Sequence, residues 1–279
     1  MDLNNKQPGP IGIFDSGYGG LTILGNIRKR MPEYDYIYLG DNARAPYGTR
    51  SFEIVYEFTR EAVLKLFEYG CQLVILACNT ASAKALRSIQ QKDLPRIAPD
   101  RRVLGVIRPT VEAIGGITNT GKIGVLGTTG TIQSQSYLLE IKKLYPGYEV
   151  FGEACPMWVP LVENNEHQFP GADYFVRQNI DHLMAQDTSI DTVILGCTHY
   201  PLLLDKIRKF LPKEVCPVPQ GELVAGSLKN YLFRHPDMDI RCTKNATCRF
   251  LTTESPQKFS AAASLFLQEK VEVSRIVLE

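Results

Sequence analysis

Short apolar runs punctuate the chain at residues 11–14, 36–39, 73–77, 103–107, 123–126, 193–195 and 249–251. They are rich in Val, Ile and aromatic residues and are bounded by Gly, Asp or Asn, the pattern of strands buried on both faces. Between them, residues 51–69, 81–90, 130–144, 173–185 and 221–232 carry helical periodicity, and Ser51 stands where it can cap the first of these helices. Repeated strand–helix alternation predicts parallel sheets covered by helices on both faces. The expected class is α/β.

The pattern also echoes itself. Ile11-Gly-Ile-Phe-Asp-Ser-Gly-Tyr-Gly-Gly is a strand entering a Gly-rich turn and a helix, and Ile123-Gly-Val-Leu-Gly-Thr-Thr-Gly-Thr repeats that design. Leu73-Val-Ile-Leu-Ala-Cys78-Asn-Thr is matched by Thr192-Val-Ile-Leu-Gly-Cys197-Thr-His, at a similar spacing along the chain. Two related lobes are predicted, with no low-complexity or Ser/Gly-rich linker to mark their boundary.

Composition narrows the classes. A chain of 279 residues with 44% hydrophobic residues can bury a sizeable core without covalent staples. Its net charge of +1 provides no broad basic field, so neither nucleic acid nor an anionic membrane is an expected partner. The N-terminal MDLNNKQPGP has no apolar stretch, so a secretory leader is not expected, and no run is long enough to span a bilayer. A cytoplasmic location follows as the expectation. Seven cysteines in such a chain argue against a disulfide framework, and their spacings do not suit structural zinc. Most should be small buried hydrophobes.

Cys78 and Cys197 stand apart from the rest. In open parallel sheets, ligands bind beyond the carboxyl ends of the strands, and both cysteines fall there, each just before a helix. Pro201 suits a first helical position after Cys197, while Thr80 or Ser82 can cap the helix after Cys78. The positive end of each helix should favour thiolate over thiol. A redox couple, a single nucleophile with His199 as partner, and proton transfer on opposite faces of one carbon all suit two such thiols. The redox reading lacks a CxxC neighbour, and the nucleophile reading leaves Cys78 without a task. For proton transfer, one thiol must rest ionised and the other protonated, the two titrating as a pair.

Four motifs make a resemblance specific: Asp15-Ser16-Gly17-Tyr-Gly19-Gly20, Asp41-Asn-Ala-Arg44-Ala-Pro46-Tyr47-Gly48-Thr49, Cys78-Asn79-Thr80-Ala-Ser82 and Gly196-Cys197-Thr198-His199-Tyr-Pro201. In this order they resemble the signatures of bacterial glutamate racemases. Residues 154–163 and 250–254 extend the likeness over nearly the whole chain. The Pro-Tyr-Gly loop narrows it from the wider family of cofactor-independent amino-acid racemases. The resemblance implies racemisation of glutamate without PLP, metal or other cofactor, supplying D-glutamate for peptidoglycan. It further implies a homodimer of two-lobed subunits related by pseudo-twofold symmetry, with the site in the cleft. The lobes would be 1–107 plus 219–279, and 108–218.

The same resemblance assigns roles. Cys78 and Cys197 become the acid/base thiols, Asp15 assists Cys78, and His199 activates Cys197. Glu163 supports the second cysteine, with Glu166 close by as its rival. Ser16, Asn79, Thr80 and Thr198 would contact substrate together with Asp15 and His199, and Tyr47-Gly48 would do so through the loop backbone. Thr128 and Thr131 could add hydroxyls. Arg44 and Arg50 read as exposed loop arginines. Arg108-Pro109-Thr110 and Val218-Pro-Gln220-Gly-Glu222 depart from the residues more usual after the corresponding strands, and are expected to lie away from the thiols.

The rivals are weaker. Gly17-x-Gly19 after a strand suggests dinucleotide binding, but the third glycine of that fingerprint would fall at Thr22. A non-catalytic amino-acid-binding module would not need paired thiols. Within the superfamily, an aspartate racemase or a related decarboxylase stays open.

Overall fold

The computed structural model describes residues 7–278, so the leader reading above lies partly outside the described residues. Its strands, in chain order, are β1 (Ile11–Asp15), β2 (Tyr36–Gly40), β3 (Leu73–Leu76), β4 (Arg102–Gly105), β5 (Lys122–Gly127), β6 (Glu149–Ala154), β7 (Thr192–Gly196), β8 (Cys216–Val218), β9 (Cys248–Thr252) and β10 (Val273–Arg275). Six build one parallel sheet, in the order β10-β9-β2-β1-β3-β4. Four build a second parallel sheet, in the order β6-β5-β7-β8. The fold is α/β. The order β2-β1-β3-β4 recurs as β6-β5-β7-β8, so the echo read from sequence is an echo of topology. β1 answers β5, and β3 answers β7.

Alternation along each strand sends successive side chains to opposite faces. On one face of the larger sheet, Ile11, Ile13, Tyr36, Tyr38, Leu73 and Ile75 pack in a core that also holds Leu24, Val224 and Phe259. On the other face, Phe14, Ile37, Leu39, Val74 and Leu76 pack with Val63 and Leu66 of the helix Phe52–Glu68. The smaller sheet is covered in the same way, with Leu126, Val193 and Leu195 on one side and Ile123, Val125 and Ile194 on the other. Ser51 caps the helix Phe52–Glu68, its hydroxyl accepting from the Ile54 amide at 3.3 Å.

Several boundaries differ from expectation. The apolar run 103–107 is shared: β4 ends at Gly105, and Ile107 opens the helix Ile107–Ile114. Residues 130–144 are two helices, Thr129–Gln133 and Ser136–Leu144, broken where Gln135 takes a left-handed φ of 55°. The helix expected over 81–90 starts earlier, at Asn79, and runs on through a π-turn at Ile89–Asp93. Its cap is neither Thr80 nor Ser82 but Cys78, whose Sγ accepts from the Ala81 amide at 3.4 Å. After Cys197 the short helix Tyr200–Leu203 opens on Tyr200, so Pro201 stands second in it rather than first. β6, β8 and β10 carry no apolar run and escape a periodicity reading. Among the described residues, no helix is long and apolar enough to cross a membrane.

Candidate active site

The carboxyl ends of β1, β2, β3, β5, β6 and β7 deliver their loops to one cavity of about 110 Å³. The larger sheet contributes Ser16, the loop from Ala45 to Thr49, and Cys78 to Thr80. The smaller one contributes Thr128, Cys155, Glu163 and the turn Cys197 to His199. Cys78 and Cys197 therefore line the same cavity from equivalent loops of two like sheets, each 6% exposed. All seven cysteines are free. Among the described residues, no cluster of His, Cys, Asp or Glu is arranged to hold a metal.

The two sulfurs have unlike surroundings. Burial, with the carboxyl of Asp15 adding to it, pushes the Cys78 thiol up to about 12. Hydrogen bonds from Ser16 Oγ at 3.5 Å and the Ala81 amide oppose that shift without overcoming it. The expectation that a helix start would ionise this thiol is therefore corrected: desolvation outweighs the helix end. Cys197 Sγ lies 3.8 Å from His199 Nδ1, and His199 Nε2 lies 3.1 Å from Glu163 Oε1. Burial works against charge on His199, but its hydrogen bonds to Cys197 and Glu163 prevail and raise it to about 10. A carboxylate–imidazolium pair thus stands against one sulfur only.

Of the residues expected at the site, Ser16, Tyr47, Gly48, Asn79, Thr80, Glu163, Thr198 and His199 line the cavity together with the two cysteines. Glu166, on an exposed turn, does not. Asp15 is not in the wall either. It lies buried behind Ser16, accepting from the Gly17 amide at 2.9 Å and from Thr198 Oγ1 at 3.4 Å, and burial raises its carboxyl. Its influence on Cys78 is through space. Thr128 lines the cavity, and Thr80, Thr128 and Thr131 join their hydroxyls at 3.0–3.3 Å across the two halves.

Three readings change. Arg44 is not a free loop arginine: it pairs with Asp41 and Glu61 and lies 4.0 Å over the Phe58 ring. Tyr47 does more than lend its backbone, since its buried hydroxyl donates to Asp41, which is 0% exposed and also takes Thr253 Oγ1 at 2.9 Å. Asp41 so anchors the loop that roofs the cavity. The Gly48 carbonyl accepts from the Gly130 amide at 2.7 Å, closing that roof onto the smaller sheet's side. The third departure is Cys155, which with Pro156, Val159 and Pro160 makes an apolar wall that sequence reasoning missed. The available signal was a cysteine directly after a strand, hidden because β6 is half exposed and polar.

The site also depends on one bare backbone. A Cβ on Gly19 would stand 2.3 Å from Thr198 Oγ1 and 2.5 Å from His199 Nδ1, so only glycine lets the β1 turn approach this closely.

Residues 22–219 match the Asp/Glu/Hydantoin racemase family. A glutamate racemase of Roseobacter denitrificans is 40% identical over 274 residues, covering 95% of this chain and 98% of that protein. A glutamate racemase isoform from Bacillus anthracis superposes with a TM-score of 0.88 at 36% identity, covering 97% of this chain and 98% of the other. A glutamate racemase from Francisella tularensis, solved with D-glutamate, superposes with a TM-score of 0.87 at 33% identity and 98% coverage of both chains.

Proposed function

The chain belongs to the Asp/Glu/hydantoin racemase family and is an isomerase, and on that premise we propose that it interconverts L- and D-glutamate by moving the α-proton between Cys78 and Cys197. What carries this reading is the single cavity to which both sulfurs are delivered by equivalent loops. A carbanion next to a carboxylate is planar, so a thiolate removes the proton from one face and a thiol returns one to the other. Cys78 holds its proton at neutral pH, and on the other side His199 Nδ1, 3.8 Å from Cys197 Sγ, is placed to exchange a proton with it. The roles exchange with the hand of the substrate.

Two carboxylates must be held during this exchange. The hydroxyls of Ser16, Thr80, Thr128 and Thr198 and the Asn79 amide are among the donors in the wall. Glu163 orients and charges His199, and Asp15 fixes the Ser16 turn while its carboxyl opposes ionisation of Cys78. No step asks for PLP or a metal. The lobes are taken to be 1–107 plus 219–279, and 108–218, the enzyme to be a cytoplasmic homodimer, and its product to feed peptidoglycan synthesis.

The test is L-glutamate in deuterium oxide with the purified protein, chelator present and no PLP added. The expected product is D-glutamate carrying one solvent deuterium at Cα, with L-aspartate turned over far more slowly. No D-glutamate, or D-glutamate only after PLP is supplied, overturns the proposal. A second expectation concerns the roof. A Cβ on Gly48 would meet Thr128 Cβ at 2.8 Å, and overpacking of this kind costs about 1–3 kcal/mol. Gly48→Ala is expected to raise KM about tenfold through a cleft held ajar, with thermal unfolding little changed; an unaltered KM would show the roof to be irrelevant.

A further inference from the structure

Gln220 was expected to lie away from the thiols, and the structure corrects this. Its side chain is 3% exposed, and its Oε1 accepts from Asn79 Nδ2 at 2.7 Å. Asn79 directly follows Cys78 and lines the cavity. Gln220 Nε2 donates to Thr110 Oγ1 at 2.8 Å and to the Tyr137 hydroxyl at 2.6 Å, and that hydroxyl donates to Asn79 Oδ1 at 2.6 Å. Thr110 in turn gives its own proton to the Val106 carbonyl at 2.8 Å.

Every hydrogen in this ring has one direction available to it. The Val106 carbonyl can only accept, so Thr110 donates to it and must accept from Gln220. That sets the Gln220 amide, which sets Tyr137 as donor to Asn79 Oδ1. Reversing either amide would set oxygen against oxygen in a site closed to water, where an unmet polar group is costly. Asn79 is left with one uncommitted Nδ2 hydrogen on a residue of the cavity wall. We propose that Gln220, with Tyr137, is a positioning residue that locks the Asn79 amide so that an N–H, and not its carbonyl, is presented to a substrate carboxylate beside Cys78.

The ring also has an architectural meaning. Thr110 follows β4 and Gln220 follows β8, the two places where the chain passes between its sheets, and Tyr137 belongs to the helix Ser136–Leu144 over the smaller sheet. Glutamine suits the junction because its one side chain accepts once and donates twice. The two sequence departures at Thr110 and Gln220 are thus a matched pair.

This inference rests on the glutamate reading, and its test separates the two. kcat and KM for L- and D-glutamate are measured for the wild type, Gln220→Met, Tyr137→Phe, Asn79→Ala and the two doubles with Asn79→Ala. Racemisation by the wild type decides the glutamate reading alone. Gln220→Met and Tyr137→Phe are expected to raise KM by about five- to tenfold, with a smaller change in kcat. In the Asn79→Ala background, each is expected to change KM by less than about twofold, because the group they orient is gone. A merely structural role would lower the melting temperature and persist in that background. An unchanged KM in Tyr137→Phe, which removes one oxygen and keeps the ring, or effects that multiply fully with Asn79→Ala, overturns the inference even if Gln220→Met fails to fold.

Discussion

Cys78→Ser and Cys197→Ser are each expected to cost about 10²–10⁴ in kcat, in both directions of the reaction, since a positioned acid or base typically contributes that much. The symmetry follows from the geometry. Each enantiomer needs one sulfur as base and the other as acid, so neither can be lost without blocking both routes across the shared cavity. Serine keeps the size and the hydrogen bonds but is a far weaker acid than a thiol. The double variant should fall little below the worse single variant, because groups that act as a unit are not additive. Cys216→Ser, at an exposed cysteine on an edge strand, is the control and should retain full activity. Chiral chromatography of the products from both enantiomers reads the result. The equilibrium constant ties the two directions through kcat/KM, so that ratio must fall equally in both, and a Cys→Ser variant in which it falls in neither would remove the thiols from the mechanism.

Much of this arrangement was open to a reading of the chain. The apolar runs that became β1, β2, β3, β5 and β7 are central strands, and burial on both faces is what makes such strands legible. The paired cysteines followed from the same regularity, since a loop after equivalent strands reaches equivalent places. Edge strands such as β6 and β8 need fewer apolar residues, so they left no signal, and Cys155 went unread with them. The break at Gln135 rests on a left-handed residue that is not glycine, which local propensity does not announce. Charge was harder still. Whether Cys78 is ionised is a contest between a helix end and desolvation, and only packing gives the size of the second term. The choice of Glu163 over Glu166 likewise turned on which carboxylate reaches His199. Gln220 was legible only as a departure from the family pattern and was placed away from the thiols, because its partners Asn79, Thr110 and Tyr137 come from three separate stretches of the chain.

His199 should govern the alkaline side of the pH profile. Its folded value of about 10 stands above the ordinary imidazole value of 6.5, so the cation contributes fully below pH ~6.5 and is lost as pH rises through about 10. Activity of the folded enzyme follows the folded value alone, and is expected to fall as pH rises through about 10 and the imidazolium beside Cys197 discharges, while the Cys78 thiol, at about 12, is still protonated. His199→Gln keeps a polar side chain but no charge, and is expected to lower kcat by about 10²-fold or more and to abolish that alkaline limb. Glu163→Gln is the graded variant. It leaves the imidazole in place and removes the carboxylate 3.1 Å from Nε2; loss of an opposite charge at that range moves a titration by about 1–3 pH units. The limb should therefore shift to lower pH, toward the value set by burial alone, and activity near neutrality should fall with it. A pH–kcat profile of the wild type, His199→Gln and Glu163→Gln, run beside thermal melts at each pH, makes the comparison. An alkaline limb in the same place in wild type and Glu163→Gln would mean that the carboxylate does not hold the charge on His199, and the asymmetry assigned to the two sulfurs would lose its cause.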